Sequence, residues 1–269
     1  MIAFHLLRMV LHLFVGLFKC GVIFPLTDAA GRQRRIRQWS IELLAICGMR
    51  VNLRNPGGAP AAARALIVSN HISWLDIFVI NSLQPCRFVA KSDIRDWPLM
   101  GWLCEKSGTI FIARGKQRDV RRIYEGMVNS LHDGERVAFF PEGTTAAQGT
   151  LLSFHANLFE AAIDAEVPIQ PYALRYVDSA GRFHPELDFV GDMTFVESMI
   201  AILRVRKFTA EIIQLPPLAS IGAHRRELAS AARASIGSAL GYPIEPITPA
   251  AGTAGSRPET PHDLPAARQ

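Results

Sequence analysis

Two short stretches of this 269-residue chain combine residue types that could move a proton. The first is Asn70-His71-Ile72-Ser73-Trp74-Leu75-Asp76, in which an imidazole and a carboxylate stand five positions apart. That spacing separates two side chains by about 140° on an ideal helix, so the pair meets only if His71 lies just before a helix and Asp76 in its first turn. Asp76 would then fix the tautomer of His71 and leave its other ring nitrogen free to take a proton. A plainer reading stands beside it: Ser73-x-x-Asp76 is a capping box variant with Ser73 as N-cap, and His71 is a histidine at a strand end. The second stretch is Phe139-Phe140-Pro141-Glu142-Gly143-Thr144-Thr145. Here Pro141 stops a strand, Gly143 permits a turn or a close approach to a ligand, and Glu142 and Thr144 supply an acceptor and a hydroxyl. By itself this too is a turn.

Between them, Gly108 to Gly115 reads as a strand ending in Arg114, which could hold phosphate or carboxylate through two parallel hydrogen bonds or serve as a surface ion-pair partner. Val167-Pro168-Ile169-Gln170-Pro171 is apolar but carries two prolines, which places it at a sheet edge or rim. Cys20, Cys47, Cys86 and Cys104 are scattered, without metal-ligand or disulfide spacing. Neither a G-x-S-x-G elbow nor a G-x-x-x-x-G-K-[ST] phosphate loop occurs in the chain.

These residues need a scaffold, and the periodicity supplies one. Apolar runs at 65–69, 86–90, 108–113, 136–140 and 167–174 read as strands, alternating with helical patterns near 74–83, 97–106, 119–132 and 155–165. Two further strands are expected near 185–190 and 207–215, around a helix at 194–205, and a last helix at 222–240. Such alternation predicts an α/β fold with a central, mostly parallel sheet, mixed at its edges and flanked by helices. In open sheets of this kind ligands bind at the carboxyl ends of strands, where His71 falls. Residues 54–63 are a turn-rich connection, and six of the seventeen prolines fall in residues 243–269, which read as a disordered tail.

The net charge of +5 is local: residues 1–50 hold seven basic residues against two acidic ones, and the other 219 residues carry 22 of each sign. A basic face for nucleic acid is therefore excluded from the body of the chain. Residues 1–24 form an apolar helix with His5, Arg8, His12 and Lys19 on one stripe. The polar stripe makes a solitary membrane span costly, so the helix is expected to lie in the interface or to dip into one leaflet as half of a hairpin. A soluble helix buried by the domain is the alternative. No positive residue precedes the apolar run, which disfavours a signal peptide. A second helix follows, with Ile36, Trp39, Ser40, Leu43, Leu44 and Cys47 on one face and Arg32, Arg34, Arg35 and Arg37 at its start. Positive side chains there oppose the helix dipole, and they read either as a solvated charge run or as an answer to an external anion; the neighbouring apolar helix favours lipid headgroups. The organisation expected is thus 1–50 membrane-associating helices, 51–242 α/β domain, 243–269 tail.

Taken in order, Asn-His-x-Ser-x-x-Asp, then Lys91 with Pro98 and Gly101, Phe111-Ile112-Ala113-Arg114, Phe140-Pro141-Glu142-Gly143-Thr144 and Val167-Pro168-Ile169 form a pattern that resembles the glycerolipid acyltransferases, in their 1-acylglycerol-3-phosphate acyltransferase branch. The resemblance implies an O-acyltransferase in which His71 is the general base and Asp76 orients it, while Lys91, Arg114, Glu142, Gly143 and Thr144 serve the acceptor and its phosphate. It implies acyl carrier protein or coenzyme A thioester as co-substrate, membrane lipids as partners, no metal or other cofactor, and a place on the cytoplasmic face of the membrane. The acceptor implied first is 1-acyl-sn-glycerol-3-phosphate, giving phosphatidic acid. Two departures leave room for another lysolipid such as a lyso-ornithine lipid: Thr145-Ala146 stand where many members carry Arg-Ser, and the block 151–159 lacks a lysine that relatives often place there. A reading from a different class is a non-catalytic membrane adaptor that only binds lipid.

Overall fold

A computed structural model describes residues 2–58, 60–112, 117–205 and 207–243. Seven strands, β1 (Met49–Arg54), β2 (Leu66–Ser69), β3 (Arg87–Lys91), β4 (Ile110–Ile112), β5 (Val137–Phe139), β6 (Ile169–Val177) and β7 (Phe208–Gln214), build one sheet in the order β1-β7-β6-β2-β5-β3-β4. Strands β2 to β6 run parallel, whereas β7 is antiparallel to β6 and carries β1 along with it. The five parallel strands therefore end at one edge, where His71 follows β2, Lys91 closes β3 and Glu142 follows β5. Arg114 and residues 244–269 of the expected tail lie outside the described residues.

The helices are α1 (Ile2–Phe18), α2 (Ala29–Cys47), α3 (Leu75–Leu83), α4 (Met100–Lys106), α5 (Gln117–His132), α6 (Glu160–Asp164), α7 (Phe195–Val205) and α8 (Arg225–Leu240). One core joins the sheet to α2, α3 and α7 through Ile67, Leu44, Val79 and Ile202. Another, on the opposite face, joins Leu66 and Val68 to Met127, Phe159 and Ala232 of the other helical layer. Strand β2 is buried on both faces, which is why it reads as an unbroken apolar run.

Three local expectations are corrected. The stretch 185–190 holds no strand: Pro185–Leu187 is a short 3-10 turn begun by the proline, and Phe189 N–H then donates to the Ile72 carbonyl. Strand β1, half-exposed and alternating in polarity, comes before 65–69, where the first strand was expected. The proline-bearing β6 lies inside the sheet, between β7 and β2. Leu215 N–H donates to the Pro171 carbonyl, and the return bond that a proline cannot make is supplied by the Gln170 side-chain amide, which donates to the Leu215 carbonyl.

Helix α1 continues through a π turn, Lys19–Ile23, and a 3-10 turn, Phe24–Leu26, giving 25 residues long and apolar enough to cross a membrane. Its polar stripe faces the protein. His5 and His12 are buried, His12 stacks on Trp39 of α2, the Trp39 indole N–H donates to the His12 carbonyl, and Gly16 admits the same ring at close range. Lys19 reaches Glu42 at 3.9 Å, and Arg8 alone of the four remains fully outside. The outward face is apolar: Phe4, Leu7, Leu11, Phe14, Phe18 and Val22 are each at least half exposed.

Candidate active site

At the end of β2 the chain leaves the ladder early. The Asn70 side chain replaces a strand residue, donating to the Leu174 carbonyl and accepting from the Leu174 N–H at 2.9 and 2.8 Å. This frees the backbone at His71 to turn into α3, whose first turn carries Asp76 as the spacing requires. His71 Nδ1 lies 2.8 Å from Asp76 Oδ2, which also accepts the backbone N–H groups of Ile72 at 2.7 Å and Ser73 at 3.0 Å. The second oxygen, Oδ1, accepts the hydroxyl of Tyr176 from β6. With Oδ2 already an acceptor, Nδ1 is the imidazole donor, and Nε2 presents a lone pair.

The capping box reading fails on one detail and survives in another. Ser73 does not cap α3 with its side chain, and its buried Oγ has no hydrogen-bond partner among the described residues. Asp76 instead reaches back to the N–H groups before the helix, so the helix start and the imidazole share one carboxylate. The His71 ring is held from the side by Phe140, stacked at 3.8 Å and 6°. It retains 19% exposure, while Asp76 has none.

Glu142 was expected among the residues that serve the acceptor. It is turned inward, 4% exposed, with Oε1 accepting the His71 N–H and Oε2 the Leu152 N–H, each at 2.8 Å. Burial pushes its carboxyl above the ordinary glutamate range, opposed by the two N–H donors. Its contacts set the height of the His71 backbone rather than meet solvent. Gly143 takes φ 70°, and a Cβ there would press on the His155 ring at 3.3 Å, so this turn demands glycine. Thr144 is exposed, whereas Thr145 donates to the Phe189 carbonyl and Ala146 N–H to the His71 carbonyl. Lys91 is exposed on the same strand edge and is paired in register with Ile112, two residues before Arg114.

The fold thus gathers His71, Asp76, Glu142 and Gly143 around one turn, with Lys91 and Thr144 beside them on the edge. Tyr176 was not anticipated: it sits in an apolar strand and its sequence neighbours resemble core. Burial first, then the charge of Asp76, raises its hydroxyl well above the usual tyrosine range, so it stays a donor.

Comparisons with known proteins show the family and the fold. An acyltransferase family model matches residues 50–175. A lyso-ornithine lipid O-acyltransferase of Pseudomonas aeruginosa is 38% identical over 209 residues, covering 78% of this chain and 79% of the relative. A 1-acyl-sn-glycerol-3-phosphate acyltransferase of Neisseria meningitidis is 36% identical over 183 residues, covering 66% and 71%. In fold, the chain matches the crystal structure of the 1-acyl-sn-glycerophosphate acyltransferase PlsC from Thermotoga maritima with a TM-score of 0.63 and 18% identity, over 90% of this chain and 97% of that one.

Proposed function

This chain belongs to the acyltransferase family, and from that premise we propose that it moves a fatty acyl group from an acyl carrier protein or coenzyme A thioester to the free hydroxyl of a membrane lysolipid. The observation that carries the reading is the His71–Asp76 contact of 2.8 Å, with Asp76 wholly buried and the imidazole partly open. In the proposed step His71 Nε2 takes the proton of the lysolipid hydroxyl as the oxygen attacks the thioester carbon. The tetrahedral intermediate collapses, the carbon–sulfur bond breaks, and the departing thiolate takes the proton from the imidazolium. Asp76 holds the imidazole in the accepting tautomer and offsets its transient charge. No acyl-enzyme, metal or other cofactor enters this scheme. A lipid-binding adaptor would have no use for such a base.

The first acceptor is 1-acyl-sn-glycerol-3-phosphate, with Lys91 and Arg114 as cations for its phosphate. A second acceptor, lyso-ornithine lipid, is favoured by Thr145 and Ala146, which turn into the fold where an arginine and a serine are common in relatives, and by the name of the Pseudomonas relative. A zwitterionic headgroup needs fewer cations than a phosphomonoester. The outward apolar face of α1 supports attachment to the membrane, and the cytoplasmic side is the face we propose. Labelled acyl donor, supplied with each lysolipid in turn, tests the proposal: acylation of one acceptor and not the other assigns it, and transfer to neither removes the reading.

A further inference from the structure

A cavity of about 310 Å³ lies at the opposite edge of the sheet, where β3, β4 and β5 begin and α2 starts. Arg32, Arg87, Lys106 and Arg136 line it, against Glu105 and Glu135. Arg87 meets Glu135 at 2.8 Å within the cavity, and Glu105 is drawn to Arg95 at 3.4 Å, beyond its walls. The other three cations are held by neutral groups: Arg32 donates to the carbonyls of Phe24 and Thr27, Lys106 lies over the Trp102 ring, and Arg136 bonds to Gln84 and to the Tyr172 hydroxyl. Arg136 is only 4% exposed, and its buried Nε–H has no hydrogen-bond partner among the described residues. Arg32 and Lys106 are exposed and have no carboxylate partner among the described residues, so the cavity carries positive charge that an anion would offset.

The surroundings say which anion. A neighbouring hollow shares Phe24, Arg32 and Lys106 and is completed by Cys20, Gly21, Pro25 and Trp102 of the α1 extension and α4. On that extension Val22 and Leu26 stand exposed, so an anionic group seated on the cations has hydrocarbon-seeking side chains close to it. We propose that this cavity binds the phosphate headgroup of an anionic phospholipid of the bilayer, as a site separate from the acceptor site at the other end of the strands. Arg32 and Lys106 are the exposed cations of its lining, and Arg136 is a buried one. The site does not depend on which lysolipid is acylated.

Calorimetric titration of the full chain with dihexanoyl phosphatidylglycerol below its micelle concentration reads the site directly. Saturable binding is expected, weakened at least tenfold in Arg32→Gln/Lys106→Gln and unchanged in Lys91→Gln, whose lesion lies at the acceptor edge. Arg34→Gln/Arg37→Gln removes as many charges, both from α2 and both outside the cavity, and should bind as the parent does. Dihexanoyl phosphatidylcholine and inorganic phosphate are the other arms. Equal loss in the two double variants, equal binding of phosphatidylcholine, or binding of inorganic phosphate as tight as that of the lipid overturns the proposal.

Discussion

The turn around His71 and the outer face of α1 are built on opposite terms. Around His71 the carboxylates are answered from within: Asp76 receives four donors, Glu142 two, and the imidazole is clamped between a carboxylate and a phenyl ring. On α1 the polar side is likewise answered by α2, but the apolar side is answered by nothing among the described residues, and Phe4, Phe14 and Phe18 remain more than half exposed. The first region carries its own environment and the second needs one supplied. A proton-transfer geometry tolerates little displacement, whereas a membrane contact needs only area, and each is specified no more tightly than its task requires.

Substitutions in each region should divide accordingly. His71→Ala is expected to lower turnover by about 10³-fold, in the range lost with a general base, while vesicle binding is unchanged. Retained turnover with both lysolipids would sink the role given to His71. Replacing Leu7, Leu11 and Phe14 with serine removes three half-exposed side chains worth on the order of 1 kcal/mol each on transfer. Partition onto vesicles, measured by co-sedimentation, should fall by roughly 10²-fold, while activity towards acceptor dispersed in neutral detergent persists. Parallel loss in detergent would mean that α1 shapes the active site, and the contrast between the regions would fail.

Tyr176→Phe leaves Asp76 Oδ1 buried without its donor, at a cost of about 1–3 kcal/mol. We expect kcat to fall by roughly tenfold with KM for the acceptor unmoved, because Tyr176 is wholly buried and bonds to Asp76. An equal change in both constants would point to a general loosening of the fold. The smallest effect concerns Glu142. Its carboxyl is raised in the folded chain by burial, so the folded state binds that proton more tightly than the unfolded chain does. The stability of the parent relative to Glu142→Gln should therefore decline as pH rises through the interval just above the ordinary glutamate range, and be flat beyond it. Urea unfolding at a series of pH values checks this, and a difference that grows with pH contradicts the assignment.

Much of the site was legible because its residues advertise their local geometry. Asn70 to Asp76 and Pro141 to Thr144 mark places where strands stop, and strand ends of one parallel sheet must share an edge. What stayed hidden depends on contacts between distant segments. Tyr176 looks like any core aromatic until β6 is laid beside β2, and the inward turn of Glu142 needs Leu152 N–H as its second donor. The prolines of β6 misled because a side-chain amide, Gln170, restores the missing bond, and amide side chains carry no such mark in sequence. Pro185 to Val190 mimics a strand by its alternation alone. The polar stripe of α1 was visible, but the surface it faces was not, since a stripe looks the same turned to headgroups or to a neighbouring helix.

The Asn70 clamp bears on the order in which the molecule acquires activity. Its partner Leu174 lies 104 positions away, and Tyr176 lies 100 positions from Asp76. Contacts of such separation carry the largest loop-closure entropy and form late in folding. The chain can thus complete α3 and its local turns while the corner around His71 is still open, and the proposed base is in place only when β6 docks on β2. A nascent or partly unfolded chain bound to a membrane by α1 would be inert towards lipid, and function would switch on with the last cooperative step of the fold.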